Sequence, residues 1–300
     1  MCDRSTRSYS IEGNQMKRSL LVSAPMLVFA LAACSSDSTG PLQITSADVD
    51  QAAVISASDA TAEDVNILSA SDMTLSGGAV QEVFGAGAQL SRVALAPNVP
   101  SYAWTFADGC TYSATTGRFT CPAIVAGGLT LNRDYALFDA NNQAQSAYDA
   151  ATTASANFHV TVTGVHTALA GEDTVDRDRN FTVSGLAGAE MSRTWNGTGT
   201  RNDGGYRDGA DARRNYHTSD ALTVSDVVVN LPRSSNPWPV SGTITRHITG
   251  TASVSRNGVT KSFSVDRTVT ITFDGSQTAT VTVNGNTYTL DLSTGVATKT

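Results

Sequence analysis

The chain has 300 residues, of which 40% are hydrophobic and 16% charged, and its formal charge is −7. That length suits one large domain or two small ones. The acidic balance repels a phosphate backbone at long range and argues against nucleic acid as a partner. Ala and Val supply much of the apolar share and Thr, Ser, Asn and Gly much of the rest, which favours strands and tight turns over helices.

Residues 1–15, MCDRSTRSYSIEGNQ, are polar and fit no part of an export signal, so translation is expected to start at Met16. Lys17 and Arg18 then form a basic segment. Ser19 to Ala30 is apolar apart from Ser23 and Pro25, and small residues lead on to Cys34. This is the layout of a secretory signal. The run from Leu20 to Ala33 falls short of the roughly 20 residues that span a bilayer, and Pro25 weakens a membrane helix further.

The quartet Leu31-Ala32-Ala33-Cys34 resembles the lipobox of bacterial lipoproteins. The resemblance covers only this leader. It implies a signal peptide over 16–33, cleavage after Ala33, diacylglycerol on the Cys34 thiol and acylation of the new amino group. Several acyl chains hold a protein stably where one holds it marginally. In well-studied Gram-negative sorting an Asp after the cysteine retains the protein in the inner membrane. Ser35 therefore implies a lipid-anchored protein of the bacterial envelope with the outer membrane favoured. The mature chain carries 25 acids against 16 bases, a net charge of −9.

Residues 34–42 read as a polar tether. A helical segment of one or two short helices is expected over 43–72, with Ser46 as a candidate N-cap and acids early in the turn that follows. Residues 73–100 read as a Gly/Ala-rich connector.

From 101 to 300 short alternating runs broken by turn residues point to an antiparallel, hairpin-rich β domain, its sheet either curled or covered by the helical segment. Strands are expected at Ser101–Ala107, Leu129–Phe138, Asn157–Val165, Thr174–Val183, Met191–Thr200, Ala221–Asn230 and Ser241–Arg256, with a meander over 239–291. Asn284-Gly285 suits a two-residue turn that sets Val281 opposite Tyr288 and Ala279 opposite Leu290. Asn257-Gly258 likewise pairs Val254 with Lys261 and Ala252 with Phe263. At Asp274-Gly275 a three-residue loop, setting Ile271 against Ala279, matches the buried faces better than a two-residue one.

Cys110 and Cys121 flank TYSATTGRFT. A four-residue loop over 114–117 pairs Ser113 with Arg118, Tyr112 with Phe119, Thr111 with Thr120 and Cys110 with Cys121. A three-residue loop with a Gly117 bulge would part the thiols, and the aromatic pair argues for the first register. In an oxidising compartment a Cys110–Cys121 disulfide is expected.

The sequence holds no Gly-x-Ser-x-Gly, no Ser-x-x-Lys, no His-Glu-x-x-His and no phosphate loop. No catalytic residue, metal ligand or cofactor is therefore assigned. His159 and His166 have opposite parity and would face opposite sides of a sheet. Asp176, Asp178 and Asn180 open like an EF-hand, but Phe181 stands where Gly is required and Ala187 where the closing Glu belongs. On a strand those three share one face and Arg177 and Arg179 the other, which reads as a solvated segment with cross-strand charge pairs. Glu172-Asp173 reads as a turn. The polar stretch from Thr194 to Tyr216 reads as a loop between strands. Trp195, Arg201, Arg207, Arg213 and Arg214 are its candidates for a surface that binds an anionic glycan or lipid headgroup.

Three functional readings stay open. The first is a non-enzymatic envelope lipoprotein with a structural or partner-binding role, its partners the membrane through the anchor and an envelope protein, lipid or glycan. The second is a carrier of an apolar or lipid ligand within a curved sheet. The third is a hydrolase. A filled sheet interior favours the first, and a pocket with converging polar groups the third.

Overall fold

The computed structural model describes residues 46–47, 49–51, 53–54, 56–58, 60–61, 64, 109–168, 171–208, 213–233, 235–256 and 258–300. The start at Met16, the signal, Ala33, Cys34, the tether, the connector over 73–100 and the expected strand Ser101–Ala107 lie outside the described residues.

The period-2 alternation of apolar and polar residues produces fourteen strands in one sheet. They are β1 Thr111–Ser113, β2 Arg118–Thr120, β3 Ile124–Ala126, β4 Leu129–Asp139, β5 Ala144–Gln145, β6 Thr153–Ala168, β7 Gly171–Ser184, β8 Ser192–Asp208, β9 Arg213–Asn230, β10 Ser241–Arg256, β11 Val259–Thr272, β12 Thr278–Val283, β13 Asn286–Asp291 and β14 Val296–Lys299. All pairings are antiparallel. Spatial order follows chain order, except that β3 and β5 both lie against β4. The fold is thus a mainly β meander, open between β1 at one end and β14 at the other. One short helix, α1, has its described residues between 46 and 64.

One face of the sheet is buried. Along β7 burial alternates without a break, with Val175, Phe181 and Val183 inward. Phe119 stacks on Tyr135 at 4.5 Å, Tyr135 on Phe158 at 5.9 Å, and Phe158 meets Trp195 at 6.2 Å, all on the inner face. Each fully buried side chain of this size contributes about 1.5–3 kcal/mol.

Helix α1 lies against the same face. Asp50, Ala53, Val54, Ala57, Ala60, Thr61 and Asp64 recur at helical spacing and are all buried. Their side chains are small, which lets the helix backbone approach the sheet. Thr61 satisfies its own hydroxyl on the Ala57 carbonyl at 2.7 Å. Ser46 is itself helical, and its hydroxyl accepts from Arg267 Nη2 at 3.2 Å.

The hairpin registers follow the turn chemistry. Val281 pairs with Tyr288 and Ala279 with Leu290, across Asn284 and Gly285 at φ 48° and 77°. Val254 pairs with Lys261 and Ala252 with Phe263. The loop between β11 and β12 departs from expectation, because Ile271 meets Val281 and not Ala279. Phe273 carries on along β10, its amide bonding Gly242 O at 3.1 Å, and buries its ring before the chain turns. The Gly275 amide then bonds Pro239 O at 2.9 Å. A shift of two residues keeps the inner face inward.

The expected loop over 194–216 is instead largely the extended arms of β8 and β9, paired from Arg201–Asp220 to Asp208–Arg213. Glu172 and Asp173 are not a turn but lie inside β7. A bulge interrupts the β8–β9 ladder between Trp195 and Gly197. Asp226 takes φ 49° there, and its amide bonds Asn196 Oδ1 at 2.9 Å. The extra residue turns both Val224 and Val227 inward. Gly242 fits against this bulge because a Cβ there would sit 2.3 Å from Asp226 O.

Candidate functional site

The inner face has two zones. One is apolar, built on Phe158, Phe181, Trp195, Ile271 and Leu290. The other carries charge. Inward positions of β7 to β10 hold Asp173, Arg177, Arg179, Arg201, Asp203, Asp220 and Arg246, all buried. Strand parity puts them there, since they alternate with outward residues such as Thr174, Asp176, Asn202, Ser219 and His247.

Two ion clusters organise this zone. In the first, Asp203 takes Arg177 Nη2 at 2.7 Å and Nε at 3.2 Å, and Arg201 Nε at 2.5 Å. Burial pushes the Asp203 carboxyl up, but the Arg177 and Arg201 guanidiniums outweigh it and hold the pKa below the ordinary value. In the second, Asp64 of α1 reaches between two strands. Its Oδ1 accepts from Arg179 Nε at 2.8 Å, and its Oδ2 accepts from Arg246 Nη2. Arg246 Nη1 continues to Asp220. Asp64 and Arg246 are wholly buried, and Arg179 is 1% exposed. Arg179 Nη1 also donates to Thr200 O at 2.5 Å and Asp178 O at 2.9 Å. Gly199 makes room for that side chain, since a Cβ there would lie 2.6 Å from Arg179 Cδ.

The near end of α1 is held in the same manner. Asp50 takes Arg267 Nε at 2.6 Å and Asn286 Nδ2 at 2.9 Å. Asp50 thus meets β11 and the β12–β13 turn, whereas Asp64 meets β7 and β10. The helix therefore crosses the strands.

Beyond the clusters, Tyr216 donates its hydroxyl to Asp173, and His166 lies opposite Asp173 on β6. His166 Nδ1 is 2.8 Å from Gly127 O. A carbonyl only accepts, so Nδ1 is the donor. His166 Nε2 is buried without a hydrogen-bond partner. His159 faces the other way, as its parity predicts. It bridges Asp134 at 2.9 Å and Asp178 at 3.2 Å, and Arg118 also bonds Asp134. Burial lowers the His159 pKa, but the hydrogen bonds and charges of Asp134 and Asp178 outweigh it and leave it raised.

The arrangement suits internal neutralisation. The Asp203, Asp64 and Asp220 carboxylates each accept from arginine, so the charges of this zone are met inside the fold. Among the described residues no group of three or more His, Cys, Asp or Glu could hold a metal ion.

Two of the surface candidates, Trp195 and Arg201, are corrected. Trp195 is fully buried in the apolar zone, and Arg201 is buried on Asp203. Arg207 lies on β8 opposite Gly171 and Arg214. Arg213 is exposed, 3.9 Å over the Tyr206 ring and 3.8 Å from Asp208, and Arg214 is half-buried. Trp195 and Arg201 thus lie inside the fold and not on its surface. Arg177 and Arg179 face the interior and not solvent, although their parity against Asp176, Asp178 and Asn180 is as expected. Cys110 and Cys121 are disulfide-bonded with Cα atoms 3.9 Å apart, in the register that pairs Tyr112 with Phe119.

Asp50, Asp64, Asp220 and Arg246 were not singled out from the sequence. A signal for Arg246 was there. It shares the parity of Ile244 and Ile248 and so belongs to the inner face. No protein-family model, no curated protein and no solved structure matches this chain.

Proposed function

We propose that the chain is a lipid-anchored envelope protein with a non-enzymatic role, structural or partner-binding. The observation that carries this reading is the occupied inner face. Helix α1 lies where an apolar ligand would sit, and its two carboxylates are matched by arginines of the sheet. A lipid carrier needs an open apolar lining there, and this face instead has a closed apolar zone beside a charged one. The lipobox resemblance and the disulfide both fit an exported protein. On this reading Cys34 carries the acyl groups and residues 35–45 link them to the start of α1.

The test is native mass spectrometry of the mature chain with Cys34→Ser, purified gently from its own envelope fraction. We expect the bare chain mass less two hydrogens for Cys110–Cys121. A reproducible excess mass of lipid size would overturn the structural reading in favour of a carrier.

A further inference from the structure

Strand β11 is paired along its whole length on one side only. All 14 of its residues face β10, but only Val269–Thr272 pair with β12. β12, β13 and β14 are short, so the sheet is notched beside β11. From Val259 to Thr268 no strand among the described residues pairs with its other side. Val259, Thr260, Lys261, Ser262 and Ser264 of this stretch are exposed.

The ladder fixes which backbone groups are left over. In an antiparallel pair, residues that exchange both hydrogen bonds alternate with residues that exchange none. The Phe273 amide bonds Gly242 O at 3.1 Å, and the same register makes the odd-numbered residues of β11 the ones bonded to β10. The even-numbered residues therefore aim N–H and C=O the other way. Those of Thr270 and Thr272 meet Thr282 and Thr280 of β12. Those of Thr260, Ser262, Ser264 and Asp266 meet no described strand. Arg267 Nη1 donates to Asp266 O at 2.9 Å, and a carbonyl has a second lone pair to offer.

An unpaired edge is a template for another strand. Here side chains and shape match a second copy of the same edge. A two-fold antiparallel pairing must set even residues against even ones. Centred on Phe263, it sets Phe263 against itself, Ser262 against Ser264, Lys261 against Val265, Thr260 against Asp266 and Val259 against Arg267. No like charges meet, and two aromatic rings face each other on the axis. Centring on Ser264 would oppose Lys261 to Arg267, and centring on Lys261 would oppose it to itself. Centring on Ser262 or Val265 shortens the ladder. The chosen register also suits the notch. The β10–β11 turn of each copy ends against the β12–β13 turn of the other, where Gly258 and Gly285 both stand in open space. The inner faces of the two copies then lie on one side of a continuous sheet.

We propose that the free edge of β11 pairs with the same edge of a second copy of this chain, giving a two-fold dimer centred on Phe263. This goes beyond the role proposed above and depends neither on the lipid anchor nor on what the inner face binds.

The experiment uses the mature chain with Cys34→Ser and measures its mass by sedimentation equilibrium over a range of concentrations. We expect a reversible species of twice the chain mass. Ser262→Pro and Ser264→Pro each delete one outward N–H and leave the bonds to β10, made by odd residues, in place. Each should be monomeric, with circular dichroism and melting establishing that it is folded. Phe263→Cys sets two thiols face to face on the axis and should form an intermolecular disulfide in air. Thr251→Cys, on the outer face of β10, should not. A parent that stays monomeric up to its highest soluble concentration would overturn the proposal. A cross-link from Lys261 to another segment of the same chain in that monomer would give the edge to that segment instead. A dimer kept by both folded proline variants would overturn it too, as would failure of Phe263→Cys to link. Should neither proline variant fold, the Phe263→Cys link decides alone.

Discussion

Replacing Asp64 with Asn removes one charge and leaves the side-chain shape almost intact. In the native chain this carboxylate is fully buried and bridges Arg179 and Arg246, themselves 1% and 0% exposed. Arg246 keeps Asp220, and Arg179 keeps two carbonyls, so the loss is not total. Removing one partner of a buried pair costs about 3–5 kcal/mol, because an uncompensated charge stays behind. For a domain of this size that is a fall in melting temperature of about 6–20 °C. Urea unfolding followed by the fluorescence of buried Trp195 reads the same quantity. The pairing makes a second demand. Asp64→Asn combined with Arg246→Met should cost less than the two single changes added together, since the double variant no longer buries an excess cation there. A loss below about 1 kcal/mol for Asp64→Asn would refute the reasoning, because a bridge worth that little behaves as a solvated one.

Two further outcomes follow from the same geometry. Cys110→Ala with Cys121→Ala should lower stability by about 3 kcal/mol in the loop-entropy model, measured by urea unfolding of the oxidised parent against the variant; an unchanged midpoint would show that the hairpin needs no bridge. His159 is raised in the fold by Asp134 and Asp178, so its contribution is fully present below the unfolded value of about 6.5 and is lost as pH rises through the folded pKa. The urea midpoint of His159→Gln should therefore fall below that of the parent at about pH 5.5 and approach it at about pH 9, and an equal gap at both would remove the electrostatic account.

The sheet was legible because strands and turns are local. Asn284-Gly285 and the alternation around it specify the β12–β13 register by themselves, and the aromatic pair Tyr112–Phe119 selects one of two cysteine registers. The β11–β12 loop was misread because Phe273 gains more by packing inward along β10 than by starting the turn, and that contact is not local. The charged zone was misread for a different reason. Parity assigned Arg177 and Arg179 to one face correctly, but charge was taken to mean solvent. A buried arginine is tolerable only with a partner, and its partners stand on β8 and on α1, far away in sequence. No window of the chain contains both halves of that pairing. Adjacent strands that place acids at inward parity, as β8 beside β7 does with Asp203 and β9 beside β10 with Asp220, would have been the usable clue.

Why such a zone is kept deserves an answer in terms of registry. A buried ion network is a poor source of net stability, since well-packed apolar residues of similar volume often do as well or better. Helix α1 faces the sheet with Ala, Ser, Thr and Val, side chains too small and too alike to lock one position along a smooth apolar wall. Asp50 and Asp64 lie about four turns of about 3.6 residues apart on one side of the helix. Each finds arginine on a different part of the sheet, Arg267 at one end and Arg179 with Arg246 at the other. A slide of one turn would take both buried carboxylates away from their arginines, and Arg179, Arg246 and Arg267 would each lose one partner. Our hypothesis is therefore that the charges fix where the helix sits, while the apolar zone supplies the stability. Replacing Asp64, Arg179, Asp220 and Arg246 together by Leu, Met, Leu and Met separates the two roles, because no member of the network is left behind without its partner. Stability should be kept or raised, while Cys pairs engineered across the native helix–sheet contact should cross-link less selectively than in the parent. Cross-linking as selective as in the parent would show that packing alone sets the position.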